Sequence, residues 1–205
     1  MHISEGVLSG PVLAAGLSIT IAGTAVGLKK IEYDQMVHVA ILSSAFFVAS
    51  LIHINIGPVS VHLILNGIVG LLLGPAAFPA ILTALVLQSL FFQYGGLTAL
   101  GVNAVIMAVP AVLSYYLFSP LLGRSSRLTF AAGFMAGVFS VGFSSFLLGI
   151  ALWFTNEEFL KTCIAIISAH VPVMLIEGII TGFCVSFLLK VYPEIIPNKN
   201  LWKNR

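Results

Sequence analysis

The chain has 205 residues, of which 59% are hydrophobic and only 8% are charged, and its mean hydropathy is +1.10. Soluble domains carry about 25% charged residues, so this chain has too little polar surface to cover a soluble globule. Its formal net charge of +2 is not gathered into a basic stripe, which argues against nucleic-acid binding. The composition therefore predicts an integral membrane protein.

Apolar runs in chain order predict an all-α bundle of six or seven transmembrane helices, with seven preferred. A span needs about 20 apolar residues, and short polar or Gly/Pro-rich separators such as KKIEYD, GPAAFP and GRSSR divide the chain. The third and fourth spans are short, and only GPAAFP separates them. The candidate spans are residues 8–28, 34–54, 58–75, 78–93, 98–122, 128–154 and 162–191.

The distribution of basic residues predicts the orientation. With seven spans and the N-terminus outside, eight of the nine Lys and Arg residues lie on the cytoplasmic side, and Lys161 alone lies outside. Residues 1–205 are expected to form one transmembrane domain with a cytoplasmic C-terminus. The first residues lack the basic region of a cleavable leader, so the N-terminus is expected to be kept. Cys163 and Cys184 lie in apolar stretches and are expected to be small buried residues, not a disulfide.

Polar side chains within the apolar runs are the candidates for function, because they are costly in a membrane. His38, near the cytoplasmic end of its span, is interpreted as structural. His170 and Glu177 share one helix face two turns apart, as a polar seam or a packing pair. The full set is His2, Glu5, His38, His53, His62, His170 and Glu177, with the uncharged Asn66, Gln88, Gln93 and Asn103.

His2 directly follows Met1 in the opening MHISEG. A free α-amine, the next amide nitrogen and the imidazole Nδ1 of His2 can bind one metal in five- and six-membered chelate rings. These three nitrogens lie in one plane, and planar nitrogen ligation suits Ni(II) or Cu(II). His62, just below the outer surface, is the preferred fourth ligand, and His53 is its rival. The alternatives are an interfacial His2 and a hydrogen-bonded core His62.

The stretch FFQYGGLTALGVNAVIM predicts a tight turn between two helices. Gly95 and Gly96 permit the turn, and Thr98 is a candidate cap for the following helix. Asn103 lies about a turn into that helix. It is expected either to bond a metal-bound nitrogen or to hold the N-terminal segment, and the alternative is a bond between helices.

Three stretches together resemble one family. MHISEG, PVSVHLILNGIVGLLLGP and FQYGGLTALGVNAVIM are similar to the signatures of the CbiM/NikM proteins, and AHVPVMLIEGIITGF is similar to their last span. These proteins are substrate-binding components of energy-coupling-factor transporters for nickel or cobalt. The resemblance implies six or seven helices with the N-terminus inserted from the extracytoplasmic side. It implies that Met1, His2 and His62 are the metal ligands, and it favours His62 over His53.

The resemblance also implies residues around the metal and protein partners. Some members have a histidine or an acid where this chain has Tyr94, so a ligand from that loop is absent here. The form VHLILNG is closer to the nickel members, which favours Ni²⁺ over Co²⁺. The implied partners are a cytoplasmic ATPase, a transmembrane coupling subunit and a small accessory membrane subunit, all at a prokaryotic plasma membrane. The residues expected around the metal are Glu5, Ser60, Gln93, Gly95, Gly96 and Asn103.

Two other functions are alternatives. An intramembrane metalloenzyme needs an open coordination position and a general base, and the sequence has no HExxH motif. A proton-coupled secondary transporter would use His170 and Glu177 and would need no ATPase. No GxxxxGK[ST] phosphate loop is present, so this chain is not expected to hydrolyse ATP or to be an enzyme.

Overall fold

The structure is a computed structural model, and it describes residues 2–56 and 59–195. Within that part the chain is almost entirely helical, which confirms the predicted class of fold. Two short antiparallel strands interrupt the helices, with His53 opposite His62 in the register. The elements are α1 Gly10–Leu28, α2 Met36–Ala49, β1 His53–Ile56, β2 Val59–His62, α3 Asn66–Leu73, α4 Ala77–Phe92, α5 Leu100–Phe118, α6 Ser126–Thr155 and α7 Leu160–Val191.

Five helical stretches in the described part are long and apolar enough to cross a membrane. Helix α2 is also apolar, but its 14 residues make it shorter than the 34–54 predicted for the second span. The protein is therefore a multi-pass membrane protein. Judged by length and composition, the five stretches are Gly10–Leu28, Asn66–Phe92 (which contains both α3 and α4), Leu100–Leu121, Ser126–Thr155 and Glu157–Val191.

The predicted third span, residues 58–75, is helical only from Asn66 onward, and this corrects the prediction of a full-length helix. Its first part is strand β2 followed by the irregular residues 63–65. Leu65 has a left-handed backbone with φ of 57°, a conformation that a helix cannot contain. An apolar run reads alike in a strand and in a helix, so composition did not reveal the break.

Helices α3 and α4 run in opposite directions, as the predicted third and fourth spans require. Helix α3 runs alongside α5. Its first residue, Asn66, has its side-chain amide near Met107, and Gly74, just after its last residue, lies beside Tyr115. The chain turns at Gly74, whose φ is +56°. Helix α4 then returns to Gln88, which lies beside the N-terminal segment.

Helix α5 is the centre of the bundle, with α1, α3, α4 and α6 packed around it. Glycines allow the close approaches, because a Cβ at Gly16 of α1 or Gly70 of α3 would overlap α5. Helices α6 and α7 form an extensively packed pair, with Gly137 against the backbone of Glu177. Helix α1 lies at the periphery, because only 17% of its apolar window is buried. Its side chains are therefore left to face lipid.

The structure describes Cys163 and Cys184 as free, the first buried and the second half-buried. This confirms that the two cysteines do not form a disulfide. His38, interpreted as structural, lies with its ring centroid 5.9 Å from that of Tyr192. That contact joins the start of α2 to the end of α7.

Candidate metal-binding site

The N-terminal segment is inserted into the helix bundle ahead of α1, as predicted. Ile3 is buried, and its backbone N–H donates to Asn103 Oδ1 at 2.9 Å. The Asn103 Nδ2 donates in turn to the Ile3 carbonyl at 3.0 Å. The Asn103 side chain thus pairs with both backbone groups of Ile3, much as a neighbouring strand would. Of the roles considered for Asn103, this contact matches the one that holds the N-terminal segment.

The loop at Gly95 and Gly96 closes over this segment. Both glycines have positive φ values, +76° and +72°. A Cβ at Gly95 would lie 2.5 Å from Asn103 Nδ2, and a Cβ at Gly96 would lie 1.9 Å from Glu5 Cγ. A side chain at Gly95 would therefore collide with Asn103, and one at Gly96 would collide with Glu5 of the docked segment. The loop places bare backbone against Glu5 and Asn103.

Glu5 accepts a hydrogen bond from the backbone just after the glycine loop. The Thr98 backbone N–H donates to Glu5 Oε1 at 3.0 Å. The backbone amides of Thr98 and Leu97 lower the pKa of the exposed Glu5 carboxyl. A lowered pKa means that this contact stabilises docking above the ordinary pKa of Glu5 and is lost as pH falls through the lowered value. Thr98 itself does not cap α5, which begins at Leu100 without a side-chain cap, so that prediction is wrong.

His2 and His62 meet at the inner end of the docked segment. His2 Nδ1 lies 3.3 Å from His62 Nε2, and the ring centroids are 5.0 Å apart. His62 Nδ1 bonds the Leu63 carbonyl at 2.9 Å, and His2 Nε2 bonds Gln88 Oε1 at 2.8 Å. Both oxygens can only accept, so each neutral ring donates from that nitrogen and turns its unprotonated nitrogen toward the other ring. Two facing lone pairs attract a shared cation.

The spacing of these two nitrogens fits two ligands of one metal ion. With nitrogen–metal bonds of about 2 Å, adjacent ligands in a square lie about 2.8 Å apart and opposite ligands about 4 Å apart. The observed 3.3 Å lies between these two values and equals the spacing of about 3.3 Å in a tetrahedral site, so the distance allows both nitrogens to share one metal ion but does not select its geometry. In the chelate expected at the N-terminus, a fourth ligand is adjacent to the His2 Nδ1. The placement of Met1 lies outside the described residues.

Side chains alone do not complete such a site. Among the described residues, no group of three or more His, Cys, Asp and Glu side chains comes together. A metal between His2 and His62 would therefore need further ligands of another kind. The backbone nitrogens at the chain start are donors of that kind, and their use remains an expectation.

The structure gives different positions to the other candidates. Gln93 is exposed at the C-terminus of α4 with φ of 58°, so its own backbone forms the bend into the glycine loop. The side chains of His53 and Ser60 lie outside what the structure describes. Gln88, predicted only as a polar candidate, is fully buried and contacts His2 directly. Its signal in the sequence is an amide inside an apolar helix shortly before the glycine loop.

His170 and Glu177 are both buried on α7, but each is bonded elsewhere. His170 Nδ1 donates to the Ile166 carbonyl of its own helix at 2.8 Å. Glu177 accepts hydrogen bonds from the backbone N–H groups of Ile64 and Leu65. Glu177 therefore belongs to the chain segment that follows His62, which the sequence did not predict.

The helix bundle and its pair of imidazoles, the buried His62 and the half-buried His2, define a multi-pass membrane protein with a polar site near one end of the bundle. Residues 2–195 match the family described as the cobalt uptake substrate-specific transmembrane region, CbiM. The chain belongs to this family. It is a nickel or cobalt transport component.

Individual relatives agree with the family, two of them over nearly the full length of both chains. A Haemophilus influenzae protein named for metal transport is 43% identical over 201 residues, covering 96% of this chain and 97% of that protein. The cobalt transport protein CbiM of Sorangium cellulosum is 27% identical over 212 residues, covering 96% and 94%. A fused nickel transport protein, NikMN of Rhodobacter capsulatus, is 37% identical over 115 residues, covering 53% of this chain and 33% of its own length.

Solved structures share the fold. A crystal structure of a transition metal transporter superposes with a TM-score of 0.78 at 25% identity, covering 93% of each chain. A truncated transition metal transporter superposes with a TM-score of 0.76 at 24% identity. The arrangement of helices described above is therefore one that occurs in metal transporters.

Proposed function

We propose that this chain is the substrate-binding membrane component of an ATP-driven, energy-coupling-factor uptake transporter, with Ni²⁺ as its preferred substrate over Co²⁺. The observation that carries the proposal is the pair of facing imidazole nitrogens, His2 Nδ1 and His62 Nε2, 3.3 Å apart beneath the glycine loop. A planar field of nitrogens suits Ni(II). Relatives named for cobalt and for nickel transport support the substrate class.

The proposed ligands are the Met1 amine, the His2 amide nitrogen, the His2 Nδ1 and the His62 Nε2. The docked N-terminal segment is then both a plug and the carrier of three ligands. Binding releases protons from the amine, the amide and any protonated imidazole, so affinity is expected to rise with pH. Gln88 and Asn103 hold the plug, because they bond the His2 ring and the Ile3 backbone.

We assign the energy for uptake to ATP hydrolysis by a partner subunit. The proposed partners are a cytoplasmic ATPase, a transmembrane coupling subunit and a small accessory membrane subunit. The absence of a phosphate loop in the sequence supports a separate ATPase. The name of the fused nickel relative supports a further component that acts with this one. Movement of the partners would open the site to the cytoplasm.

Metal binding to the purified chain with a native N-terminus tests the site. Ni(II) and Co(II) are titrated in parallel while visible absorption is recorded. The expected result is one Ni(II) per chain with a yellow, square-planar band, lost in His62→Ala and in His2→Ala. Tighter binding of Co(II) than of Ni(II) would instead assign cobalt as the substrate.

Acetylation of the Met1 amine separates the chelate from an ordinary two-histidine site. The acetyl group removes the amine as a donor, so planar binding should be lost while both histidines remain. His38→Gln is the matched control, because His38 lies beside Tyr192 and away from His2 and His62. Full planar binding by the acetylated chain, or by His62→Ala, would contradict the proposed ligand set.

A further inference from the structure

Glu177 has no role in the ligand set, yet it is the fully buried acid of helix α7. Its carboxylate accepts from the Ile64 N–H, and the Leu65 N–H lies 3.0 Å from Oε1 and 3.1 Å from Oε2. Leu65 is the left-handed residue at which β2 gives way to α3, and L residues rarely adopt this conformation. A carboxylate bonded to the amides at this break fixes the end of the segment that carries His62.

The Ile64 N–H and the Leu63 carbonyl belong to one peptide group. The N–H donates to Glu177, and the carbonyl accepts from His62 Nδ1 at 2.9 Å. An anion bonded to a peptide N–H draws charge through the amide and makes its carbonyl oxygen a stronger acceptor, because linked hydrogen bonds polarise one another. Carboxylate, peptide and imidazole therefore form one chain of hydrogen bonds that ends at the His62 Nε2.

We propose that Glu177 is a positioning residue for the bound transition metal ion, acting through the peptide that joins Leu63 to Ile64. It holds His62 in the Nδ1–H form and increases the electron-donating power of Nε2. In many metal sites a carboxylate bonds the second nitrogen of a ligating histidine directly, and here a peptide group lies between them. This inference rests on the proposed function, because it requires His62 to be a ligand.

The substitution Glu177→Gln tests the inference. Glutamine keeps the size of the side chain and one acceptor oxygen, but it removes the negative charge. The expected result is a Kd for Ni(II) about tenfold higher and a visible band at longer wavelength, because a weaker donor gives a smaller ligand field. The Tm of the metal-free protein should be unchanged.

Thr181→Val is the matched control. Thr181 lies one turn beyond Glu177 on α7, is fully buried, and its hydroxyl has no hydrogen-bond partner in the described part of the chain. Valine has the same shape as threonine, so this replacement tests packing on the same helix without touching the peptide between Leu63 and Ile64. Ni(II) affinity and the visible band should both stay as in the unaltered chain.

A second readout needs no metal. In ¹⁵N-histidine NMR of the metal-free protein, His62 should carry its proton on Nδ1, and that proton should move upfield in Glu177→Gln as its hydrogen bond weakens. Unchanged NMR and unchanged Ni(II) affinity in Glu177→Gln would overturn the inference and leave the metal site standing. A fall in metal-free Tm with an unshifted Nδ1 proton would assign Glu177 to packing alone. Absence of Ni(II) and Co(II) binding by the unaltered chain would overturn both proposals.

Discussion

At the scale of single residues, the site depends on how closely the glycine loop approaches the N-terminal segment. Gly96 faces Glu5, and Gly95 faces Asn103 and the Cβ of His2, which lies 3.4 Å from the Cβ position of Gly95. No side chain beyond hydrogen fits between these groups. The loop therefore forms a lid made of backbone. The side chains of Asn103 and Gln88 make the polar contacts with the N-terminal segment.

Gly96→Ala is predicted to weaken Ni(II) binding. The new Cβ would lie 1.9 Å from Glu5 Cγ at a φ of +72°, so the Glu5 side chain must leave its place beside Thr98, which loosens the segment carrying His2. If docking falls to one tenth, the apparent Kd rises about tenfold. Titration of Ni(II) into the purified variant measures this change.

Gly123→Ala is the control for backbone strain. Gly123 has a similar φ of +75°, but its Cβ would meet nothing within 4 Å. Left-handed alanine costs about 1–2 kcal/mol at either position, so only the collision with Glu5 distinguishes the two variants. Equal Ni(II) affinities in both would show that the lid does not control the docked segment.

At the scale of elements, α3 is a short helix that is held by close packing against α5 and by hydrogen bonds from the backbone at its N-terminal end to Glu177. All eight of its residues are buried. Its N-terminus is fixed by Glu177 of α7, and Gly70 brings its backbone against Ala111 of α5. The half-length helix thus ties the site to both α5 and α7. The position of α3 therefore sets the position of His62, which is the last residue of β2.

Gly70→Ala is predicted to destabilise the fold. A Cβ there would lie 2.0 Å from the Ala111 carbonyl oxygen, so α3 must move away from α5. Overpacking of this kind costs about 1–3 kcal/mol, which should lower the Tm in detergent by several degrees. Thermal unfolding followed by circular dichroism measures the effect.

Gly149→Ala is the matched comparison inside helix α6. Its Cβ would lie 3.5 Å from the Cys163 Cβ, an ordinary contact. Alanine is favoured over glycine in a helix by about 0.5–1 kcal/mol, so the Tm should hold or rise. A Tm for Gly70→Ala as high as that for Gly149→Ala would contradict the close packing of α3 against α5.

At the scale of the whole molecule, the predicted orientation follows from charge and decides from which side metal enters. Ser4 lies on the exposed part of the N-terminal segment, and Ser126 lies at the exposed start of α6. These positions lie at opposite ends of the bundle if α1 to α5 cross in turn. The orientation therefore predicts opposite accessibility for them.

Single cysteines at these two positions test the orientation. In a background with Cys163→Ala and Cys184→Ala, Ser4→Cys should react with a membrane-impermeant thiol reagent in intact cells. Ser126→Cys should react only after the membrane is opened. The reverse pattern of labelling would place the metal site on the cytoplasmic side and refute uptake from outside.

The sequence by itself determined the class of the protein and much of its outline. Composition set a membrane bundle, because 8% charged residues cannot cover a soluble surface. Local sequence signals predicted the long helices α1, α5, α6 and α7, the turn at Gly74 and the glycine loop. Each of these features depends on residues close together in the chain. His2 and His62 were singled out because their chemistry is unusual in an apolar sequence.

Only the tertiary structure decided how the site is held. Gln88 bonds His2 from 86 residues away, Asn103 bonds Ile3 from 100 residues away, and Glu177 bonds Ile64 from 113 residues away. The strand and the left-handed Leu65 that replace the first half of the third predicted helix belong to the same set of contacts. Periodicity reports which face of a segment is apolar, but it does not report which buried amide or carboxylate satisfies a distant backbone group. That pairing is fixed by the packing of helices that are far apart in the chain.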